Sequence, residues 1–326
     1  MNEARKRDMH HVIVDTDTGI DDALALLYLA GRQDIEISAV CSVYGNTQVD
    51  FAVSNIARVL EVAQLEDTLV ARGAPGPIVG EAQIASYVHG KDGLGDIWSE
   101  SLSPKNLATV SSANLIIQMA FTHPNFYDLL LLGPLTNIGL ALDREPKLLT
   151  LFRSVVIMGG SGPFPSLGSV QMVDANTHND AEAARRVYSA PRTHMVMVGC
   201  NVTAGTIIDE AAFQRLKSSG TKWGMFSAKI LDAYMDFYQF QWGRRVSSAH
   251  DGLAAALLAQ PQWITKSESG PVNVTNDGFA TRARLMRTSN GDPVSWSTQP
   301  SPDTLVVLDV DRERFLSNFI EILSGR

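Results

Sequence analysis

The chain has 326 residues, of which 45% are hydrophobic and 19% are charged, a composition of folded globular proteins that excludes a wholly disordered chain. Its formal net charge of −8 argues against a general binder of nucleic acid or of anionic membranes, because both tasks need a basic surface. The two cysteines, Cys41 and Cys200, are too few for a disulfide framework or a four-thiolate zinc site, and we expect two core thiols in a cytoplasmic protein.

Short apolar runs alternate with longer helical ones along the chain. The runs predicted to be strands are apolar throughout, as expected of strands that are covered on both faces: residues 11–15, 35–43, 128–132, 155–158, 194–198 and 305–308. The predicted helices are residues 21–30, 49–62, 180–187, 252–259 and 312–323, with Asp311 as the N-cap of the last. Residues 73–104 are predicted to be a Gly- and Pro-rich loop over a site, and residues 269–301 are predicted to form a peripheral hairpin.

This alternation predicts the α/β class, with a Rossmann-like mixed, mostly parallel central sheet covered by helices on both faces. Residues 1–10 are predicted to be a flexible tail, and residues 11–326 a single domain. No apolar run reaches the ~18 residues that a membrane helix needs, so we expect no membrane partner.

Polar turns follow four of the predicted strands. In chain order they hold Asp15, Asp17, Asp21 and Asp22, then Asn46, then Asn137, then Gly159 and Gly160. Open α/β sheets bind ligands at the carboxyl ends of their strands. These turns therefore predict the rim of one active site.

The four aspartates between residues 15 and 22 give the most specific local signal. Burying like charges so close together is costly, and a divalent cation relieves the repulsion. Carboxylate oxygens favour Mg²⁺ or Ca²⁺. Asp21 and Asp22 diverge by about 100° around a helix axis, so one can hold a metal while the other faces a substrate. The alternative is that both only cap the helix.

Further candidates stand in three later segments. His250 and Asp251 precede an apolar helical run, where the aspartate could be a metal ligand and the histidine a general acid, or the aspartate could only cap the helix. His89 lies in the long loop. Asp174 and Asn176 lie in a polar stretch before a helix, which without a ligand would be ordinary surface.

Taken together, these segments resemble the nucleoside hydrolases, the inosine-uridine family of nucleoside N-ribohydrolases. The motif VDTDTGIDDALAL matches the family's D-x-D-x-G-x-D-D-A signature. Six further matches follow in the same order and extend the resemblance over nearly the whole chain: VYGN, HGKDGLG, LGPLTN, VVIMGG, DAN followed by DAEAA, and AHD. The fold implied is a single α/β domain, assembled as a homodimer or homotetramer.

The resemblance implies a role for each matching residue. Asp17, Asp22, Asp251 and the carbonyl of Leu132 would bind one Ca²⁺, and Asp17 would take a proton from the water held by that ion. Asp21, Asn46, Asp174 and Asn176 would hold the ribose hydroxyls, with Met158 packed at the sugar. His250 would protonate a purine leaving group, while His89 and Tyr238 would lie near the base. Asp15 would orient the loop from behind.

Three positions depart from the family pattern. Asp174 stands where glutamate is more frequent, which shortens the reach to the ribose by one methylene. Ser169 or Gly168 stands where the family usually has an asparagine that contacts the 5′-hydroxyl. Trp242 replaces a base-proximal arginine, and it could stack on the base or pack in the core. Weaker selection at the 5′ position, or a modified ribose, would follow.

Three other interpretations remain open at this point. A phosphatase of the haloacid dehalogenase type would use Asp15 as nucleophile with Mg²⁺, but would leave the Asp21–Asp22 pair and the later motifs without a role. A calcium-dependent riboside-binding protein would use the same pocket without catalysis, and calcium could also serve only to order the loops. For the hydrolase, the acidic floor favours free nucleosides over their phosphates.

Overall fold

The computed structural model describes residues 9–161, 174–275 and 302–325, together with the backbone of three short strands between the last two ranges. Its strands are β1 (His10–Thr16), β2 (Ile35–Ser42), β3 (Leu69–Ala71), β4 (Tyr127–Leu131), β5 (Ser154–Met158), β6 (His194–Val198), β7 (Ile207–Ile208), β8 (Ser247–Ser248), β9 (Ile264–Gly270), β10 (Val272–Val274), β11 (Ala280–Arg282), β12 (Met286–Arg287), β13 (Pro293–Val294) and β14 (Thr304–Val310).

Eight of these strands form the central sheet, in the order β3-β2-β1-β4-β5-β6-β14-β9. Every neighbouring pair is parallel except β14 and β9, which run antiparallel at one edge. The order reverses between β1 and β4, because β2 and β3 extend the sheet on one side of β1 and the later strands extend it on the other. In open sheets such a switch point opens a crevice at the carboxyl ends of the strands.

The helices are α1 (Ile20–Gly31), α2 (Val49–Ala63), α3 (Ser86–His89), α4 (Ser112–Thr122), α5 (Thr136–Leu142), α6 (Ala175–Asn179), α7 (Ala181–Ser189), α8 (Cys200–Thr203), α9 (Glu210–Lys217), α10 (Lys222–Trp242), α11 (His250–Ala259) and α12 (Arg312–Ser324). Two 3₁₀ turns occur at Leu148–Leu151 and Pro261–Trp263. None of the helices in the described part of the chain is both long and apolar enough to cross a bilayer.

Two apolar cores lie on opposite faces of the sheet. Alternate side chains of β1 enter different cores, since Val12 and Val14 pack in one and Ile13 in the other, as the two-residue period of a strand requires. Helices α1, α2, α10, α11 and α12 cover the first face, and α4, α5 and α7 cover the second. Burial on both faces explains why these strands are apolar throughout.

The structure confirms the predicted α/β class and the mostly parallel sheet with helices on both faces. Each of the six predicted strands is present with shifts of at most two residues at an end, and Asp311 caps α12 by accepting a hydrogen bond from the backbone of Arg314. Within the central sheet the prediction missed β3 and β9, and it also missed the two-residue strands β7 and β8. The predicted hairpin at 269–301 begins at the end of β9, and in its described parts β10 pairs with β11 and β12 with β13.

Both cysteines are buried free thiols, Cys41 in β2 and Cys200 at the start of α8. Of the predicted N-terminal tail, residues 1–8 lie outside the described residues, while His10 already belongs to β1. The Nδ1 atom of His10 lies 2.8 Å from the carboxylate of Asp128, which also binds Arg153. This contact joins the start of β1 to β4 and β5 at the amino ends of the strands, opposite their carboxyl ends.

Candidate active site

The first turn of α1 brings two carboxylates to the carboxyl end of β1. Gly19 is the N-cap of this helix, and Asp21 and Asp22 occupy its first turn. The Oδ2 atom of Asp22 accepts a hydrogen bond from the backbone N–H of Gly19 at 2.9 Å, and its Oδ1 accepts one from the hydroxyl of Thr16 at 2.5 Å. Asp22 therefore also caps the helix.

Asp17 lies beside them and is held by the turn that follows β2. Asn46 donates its backbone N–H to Oδ2 of Asp17 at 2.7 Å, and its Nδ2 to Asp17 at 3.2 Å and to Asp22 at 2.8 Å. Only a glycine fits before it, because a Cβ on Gly45 would lie 2.1 Å from Oδ2 of Asp17 and the φ of Gly45 is +151°. The turn formed by Tyr44, Gly45 and Asn46 therefore fixes the orientation of the Asp17 carboxylate.

Asp251, in the first turn of α11, completes a buried carboxylate cluster. One oxygen each from Asp21, Asp22 and Asp251 lies within 4.8 Å of the others. Burial, reinforced by the neighbouring aspartates, raises the pKa of Asp17, Asp21 and Asp251 well above the usual value. Oδ1 of Asp21 is buried without a hydrogen-bond partner. Excess negative charge together with an unsatisfied oxygen fits a divalent cation.

Asp15 sits behind this cluster and does not line the pocket. It is 2% exposed, and its carboxylate accepts a hydrogen bond from Nδ2 of Asn137 at 2.8 Å. Burial raises the pKa of Asp15 to about 8, against the opposing effect of the Asn137 bond. A covered carboxylate of this kind does not fit the phosphatase interpretation, in which Asp15 would attack a substrate.

His89 faces the pocket from α3. Its Nδ1 accepts the backbone N–H of Ile20 at 3.2 Å, so the ring contacts the same helix start that carries Asp21. This bond places the ring proton on Nε2. Burial, with a smaller contribution from His250, lowers the pKa of His89 to about 3, and the imidazole is therefore neutral at pH 7.

His250 forms a chain of hydrogen bonds with two tyrosines of α10. Its Nε2 lies 3.1 Å from the hydroxyl of Tyr238, which lies 3.4 Å from the hydroxyl of Tyr234, and its Nδ1 lies 2.7 Å from the hydroxyl of Thr203. Burial lowers the pKa of His250 to about 4. Both histidines of the pocket are therefore neutral donors and acceptors rather than cations.

The pocket formed by these elements has a volume of about 190 Å³. It brings together ten of the residues predicted from the sequence, namely Asp21, Asn46, His89, Leu132, Met158, Asp174, Asn176, Tyr238, His250 and Asp251. Asp17 and Asp22 are not among the described lining residues, but both accept hydrogen bonds from Asn46, which lines the pocket. Among the described lining residues there is no lysine or arginine, which again suits a cation rather than a phosphate.

Trp242 is not among the described lining residues of the pocket. Its ring packs on Tyr238 with centroids 4.3 Å apart, and it is 42% exposed. Ser169 and Gly168, where a departure from the family pattern was expected, lie outside the described residues.

Several lining residues were not predicted: Ala85, Tyr87, Val88, Ala175, Cys200, Tyr234 and Phe237. Tyr234 and Phe237 stand at helical spacing from Tyr238, a pattern that by itself is typical of core packing. The sequence signal that could have identified them is their position on the same helix face as Tyr238, which was already a candidate site residue.

Comparison with known proteins gives the same family over nearly the whole chain. The family model described as inosine-uridine preferring nucleoside hydrolase matches residues 12–317. The inosine-uridine preferring nucleoside hydrolase of Crithidia fasciculata is 28% identical over 96% of this chain and 96% of its own. The probable uridine nucleosidase 1 of Oryza sativa subsp. japonica is 30% identical over 87% of this chain and 86% of its own.

A solved structure shows the same architecture. The plant nucleoside hydrolase PpNRh1 superposes with a TM-score of 0.87 at 27% identity, covering 97% of this chain and 99% of that one. A match of this extent leaves no substantial part of the fold unaccounted for. The chain belongs to the inosine-uridine preferring nucleoside hydrolase family and is a nucleoside N-ribohydrolase.

Proposed function

We propose that this enzyme uses Ca²⁺ to hydrolyse the N-glycosidic bond of free ribonucleosides, with Asp17 as general base. The observation that carries the proposal is the arrangement of the pocket, in which a buried carboxylate cluster and two neutral histidines contact one cavity. The cluster suits a sugar that becomes positively charged, and the histidine end suits a base that leaves with an electron pair.

Asp17, Asp22, Asp251 and the backbone carbonyl of Leu132 would hold the ion. All four offer oxygen, the ligand that Ca²⁺ takes in irregular sets of six to eight. When bound, the ion supplies positive charge that orients a water molecule and lowers the pKa of that water. The carboxylates then remain ionised at neutral pH, because the cation offsets the repulsion that raises their pKa.

Asp17 takes the proton of the attacking water. The water oxygen forms a bond to the anomeric carbon C1′ while the C1′–N bond breaks, and the electron pair of that bond goes to the base. Asp17 is suited to this role because the two Asn46 donors fix its carboxylate. Asp21, with its unpartnered Oδ1, stabilises positive charge on the sugar and accepts a ribose hydroxyl. Asn46 and Asn176 would orient the remaining hydroxyls, and Met158 would pack against the ring.

Tyr238 and His250 supply a proton to the departing base. With the proton of the neutral imidazole on Nε2, His250 donates to the oxygen of Tyr238. The hydroxyl of Tyr238 donates to that of Tyr234 at 3.4 Å, and it can rotate to donate to a bound base instead. Tyr238 then passes its proton to the base nitrogen, the Nε2–H of His250 stabilises the resulting phenolate by a hydrogen bond, and solvent water returns a proton to Tyr238 after the base has left. His89 offers its Nε2–H to the base from the other side.

The substrates we propose are free nucleosides, with an inosine or uridine type of base preference. The acidic floor and the absence of lysine and arginine from the described lining residues disfavour a 5′-phosphate. The names of the relatives, one for inosine and uridine and one for uridine, support a family in which the base varies more than the sugar.

We also propose a cytoplasmic homodimer or homotetramer. The two buried free thiols suit a reducing compartment. Phe121 and Phe126 are exposed large apolar side chains near the end of α4, which supports a contact between copies. Light scattering of the purified protein measures the assembly directly.

The test of the proposed function is the release of ribose from inosine, adenosine, guanosine, uridine and cytidine and from their 5′-phosphates. We expect turnover of at least one free nucleoside, loss of that turnover with EGTA and its return with added Ca²⁺. If the calcium-loaded enzyme released ribose from none of the nucleosides, the proposal would be refuted. Turnover of the phosphates as efficient as that of the nucleosides would refute the assignment of the substrate class.

A further inference from the structure

The segment that begins with His89 continues as a compact loop, residues 89–98, and most of its motif HGKDGLG has no role in the proposed chemistry. Asp92 organises this loop by accepting hydrogen bonds, at 2.7–3.1 Å, from three of its backbone N–H groups: Leu94, Asp96 and Trp98. The N–H of Gly95 donates to the carbonyl of His89 at 2.7 Å. The histidine and the residues that follow it therefore form one hydrogen-bonded unit, which we call the His89 loop.

Asn55, in α2, joins the His89 loop to the turn between β1 and α1. It is 3% exposed, and its Nδ2 donates to the carbonyl of Asp92 at 2.7 Å and to that of Thr18 at 3.0 Å. The two protons of the amide are thus used by two different segments. Gly93 lets the loop come this close, because a Cβ there would lie 2.8 Å from Nδ2 of Asn55 and the φ of Gly93 is +84°.

Thr18, which receives one of these bonds, has an unusual backbone conformation. Its φ is +28°, in a region that β-branched residues rarely adopt, and it directly follows Asp17. Such a conformation persists only where surrounding groups hold it. The N–H of Thr18 donates to Oγ1 of Thr16 at 3.1 Å, and its carbonyl accepts the bond from Asn55. The turn is therefore held from within by Thr16 and from α2 by Asn55.

The two segments that Asn55 joins serve opposite ends of the proposed reaction. The turn between β1 and α1 leads to Asp17 and Asp22 at the sugar, whereas the His89 loop carries the imidazole at the base. The segments also meet directly, where the N–H of Ile20 donates to Nδ1 of His89 at 3.2 Å. This direct bond depends on the spacing of the two backbones, and Asn55 is bonded to both of them.

We propose, resting on the proposed function, that Asn55 is a positioning residue that sets the spacing between the carboxylate cluster and the imidazole of His89. Asn55 is not among the described lining residues of the pocket, so it acts through His89, whose Nε2–H must meet the departing base. A displacement of about 1 Å can cost about 10²-fold in rate. The cluster keeps its bonds to Asn46 and Thr16 without Asn55, so the base end is the one that loses its position.

The first test compares two substrates in Asn55→Ala. We expect kcat/KM for inosine to fall by about 10²-fold. For a 4-nitrophenyl riboside, whose leaving group departs without a proton, kcat/KM should stay within about threefold of wild type, which also shows that the variant is folded. Equal losses on both substrates would overturn the proposal. If the wild-type enzyme cleaved neither substrate, the proposed function would be overturned instead.

A second variant, Asn55→Ser, keeps one donor in place of two. The ratio of kcat/KM for inosine over the 4-nitrophenyl riboside should fall by about tenfold, as expected for the loss of one hydrogen bond. This variant decides the question if Asn55→Ala does not fold, and an unchanged ratio would contradict the proposal.

A double variant tests whether Asn55 acts through His89. In the His89→Ala background, the addition of Asn55→Ala should lower kcat/KM for inosine by less than about threefold, because two residues that act through one contact are not additive. A further loss as large as in the wild-type background would show that Asn55 acts on another group, and the assignment to His89 would be wrong.

Ser54→Ala is the matched control for Asn55→Ala. Ser54 is the preceding residue of α2, is 4% exposed, and its Oγ accepts the N–H of Leu102 at 2.7 Å. The variant therefore removes a buried bond from the same helix to the chain just beyond the His89 loop. Its ratio of kcat/KM for inosine over the 4-nitrophenyl riboside should equal that of wild type. A fall as large as in Asn55→Ala would assign the effect to general loosening of the chain and overturn the proposal.

Discussion

At the scale of single residues, the role of Asp17 depends on a carboxylate that can accept a proton. Asp17→Asn preserves the shape of the side chain but removes that capacity, and its amide also presents a donor toward the N–H groups of Asn46. We expect kcat to fall by about 10³-fold, within the range of general acid–base catalysis. The measurement is ribose release at saturating nucleoside and Ca²⁺.

The exposed Asp67, which pairs with Lys105, is the control for Asp17. Asp67→Asn should keep the wild-type kcat. A kcat for Asp17→Asn within tenfold of wild type would show that another group takes the proton. Retained nucleoside binding with lost turnover would assign Asp17 to catalysis rather than to binding.

A second prediction at the scale of single residues concerns the phenol of Tyr238. Tyr238→Phe interrupts the contact between His250 and the pocket, so hydrolysis of inosine should slow by roughly 10²-fold. A 4-nitrophenyl riboside has a leaving group that departs without a proton, and its hydrolysis should stay within about threefold of wild type. Equal losses on both substrates would mean that Tyr238 binds the sugar or shapes the pocket instead of activating the base.

The matched control for this variant is Tyr127→Phe. Tyr127 begins β4, at the end of the strand opposite the pocket, and its loss of a hydroxyl should alter neither reaction.

At the scale of elements, Asn137 joins three segments around the site. Its Nδ2 donates to Asp15 of β1 and to the carbonyl of Ser42 at the end of β2, and its Oδ1 accepts the N–H of Ala74. Asn137→Ala would leave these buried groups unpaired, so we expect the free energy of unfolding to fall by about 3 kcal/mol. Urea unfolding measures it.

Asn106 provides the control, because its Nδ2 makes a solvent-exposed bond to the carbonyl of Asp67. Asn106→Ala should change stability by less than about 0.5 kcal/mol. If the two variants proved equally stable, the network around Asn137 would not be what holds these strand ends together.

The strands also show which parts of the fold can be predicted from the sequence. The buried strands were predicted because both faces are covered, which makes them continuous apolar runs. Strand β3 has only three residues, and β9, with the sequence ITKSESG, is a largely exposed edge strand. Neither carries such a run, so pairing with a neighbour, a non-local property, is what makes each of them a strand.

The site shows the same division. Aspartates crowded into one turn are a local signal, and the aspartates of the first turn and of α11 were found before the fold was known. Ala175, Cys200 and Tyr234 were not found, because a methyl group, a thiol or a helical tyrosine belongs to the site only through the surface that it faces. The carboxylate of Asp174 accepts hydrogen bonds from the backbone N–H groups of Gly160 and Thr177. Residue type alone does not reveal these bonds.

At the scale of the whole molecule, the buried carboxylate of Asp128 makes the free energy of unfolding depend on pH. It lies at the amino ends of the strands, opposite the site. Although burial raises the pKa of Asp128, hydrogen bonds from His10, Arg153 and Ser154 outweigh it and lower that pKa below its ordinary value of 3.8. Ionised Asp128 therefore stabilises the fold above pH 3.8, and this contribution is lost as the pH falls through the lowered pKa.

Asp128→Asn tests this contribution. We expect it to lower the free energy of unfolding by about 2 kcal/mol at pH 7, and the difference from wild type to shrink as the pH falls below 3.8. Urea unfolding across that range gives both curves. A difference that stayed constant with pH would assign the loss to packing rather than to charge.

Calcium should couple the site to the stability of the entire fold. The cluster joins the start of α1 to the start of α11, so an ion bound there holds together helices that are far apart in the sequence. Binding to the folded state alone stabilises it by about 2.7 kcal/mol at a hundredfold excess over Kd. Protein stripped with EGTA and then reloaded with Ca²⁺ should therefore gain roughly 5 °C in Tm.

The pH dependence of that gain follows from the raised pKa values of Asp17, Asp21 and Asp251. Without the ion, stability is full below the ordinary aspartate pKa and is lost as the pH rises through the raised values, whereas the ion binds the ionised carboxylates. The gain in Tm should therefore increase with pH. The double variant Asp22→Asn/Asp251→Asn should show no gain at any pH, and an equal gain in that variant and in wild type would place the ion elsewhere.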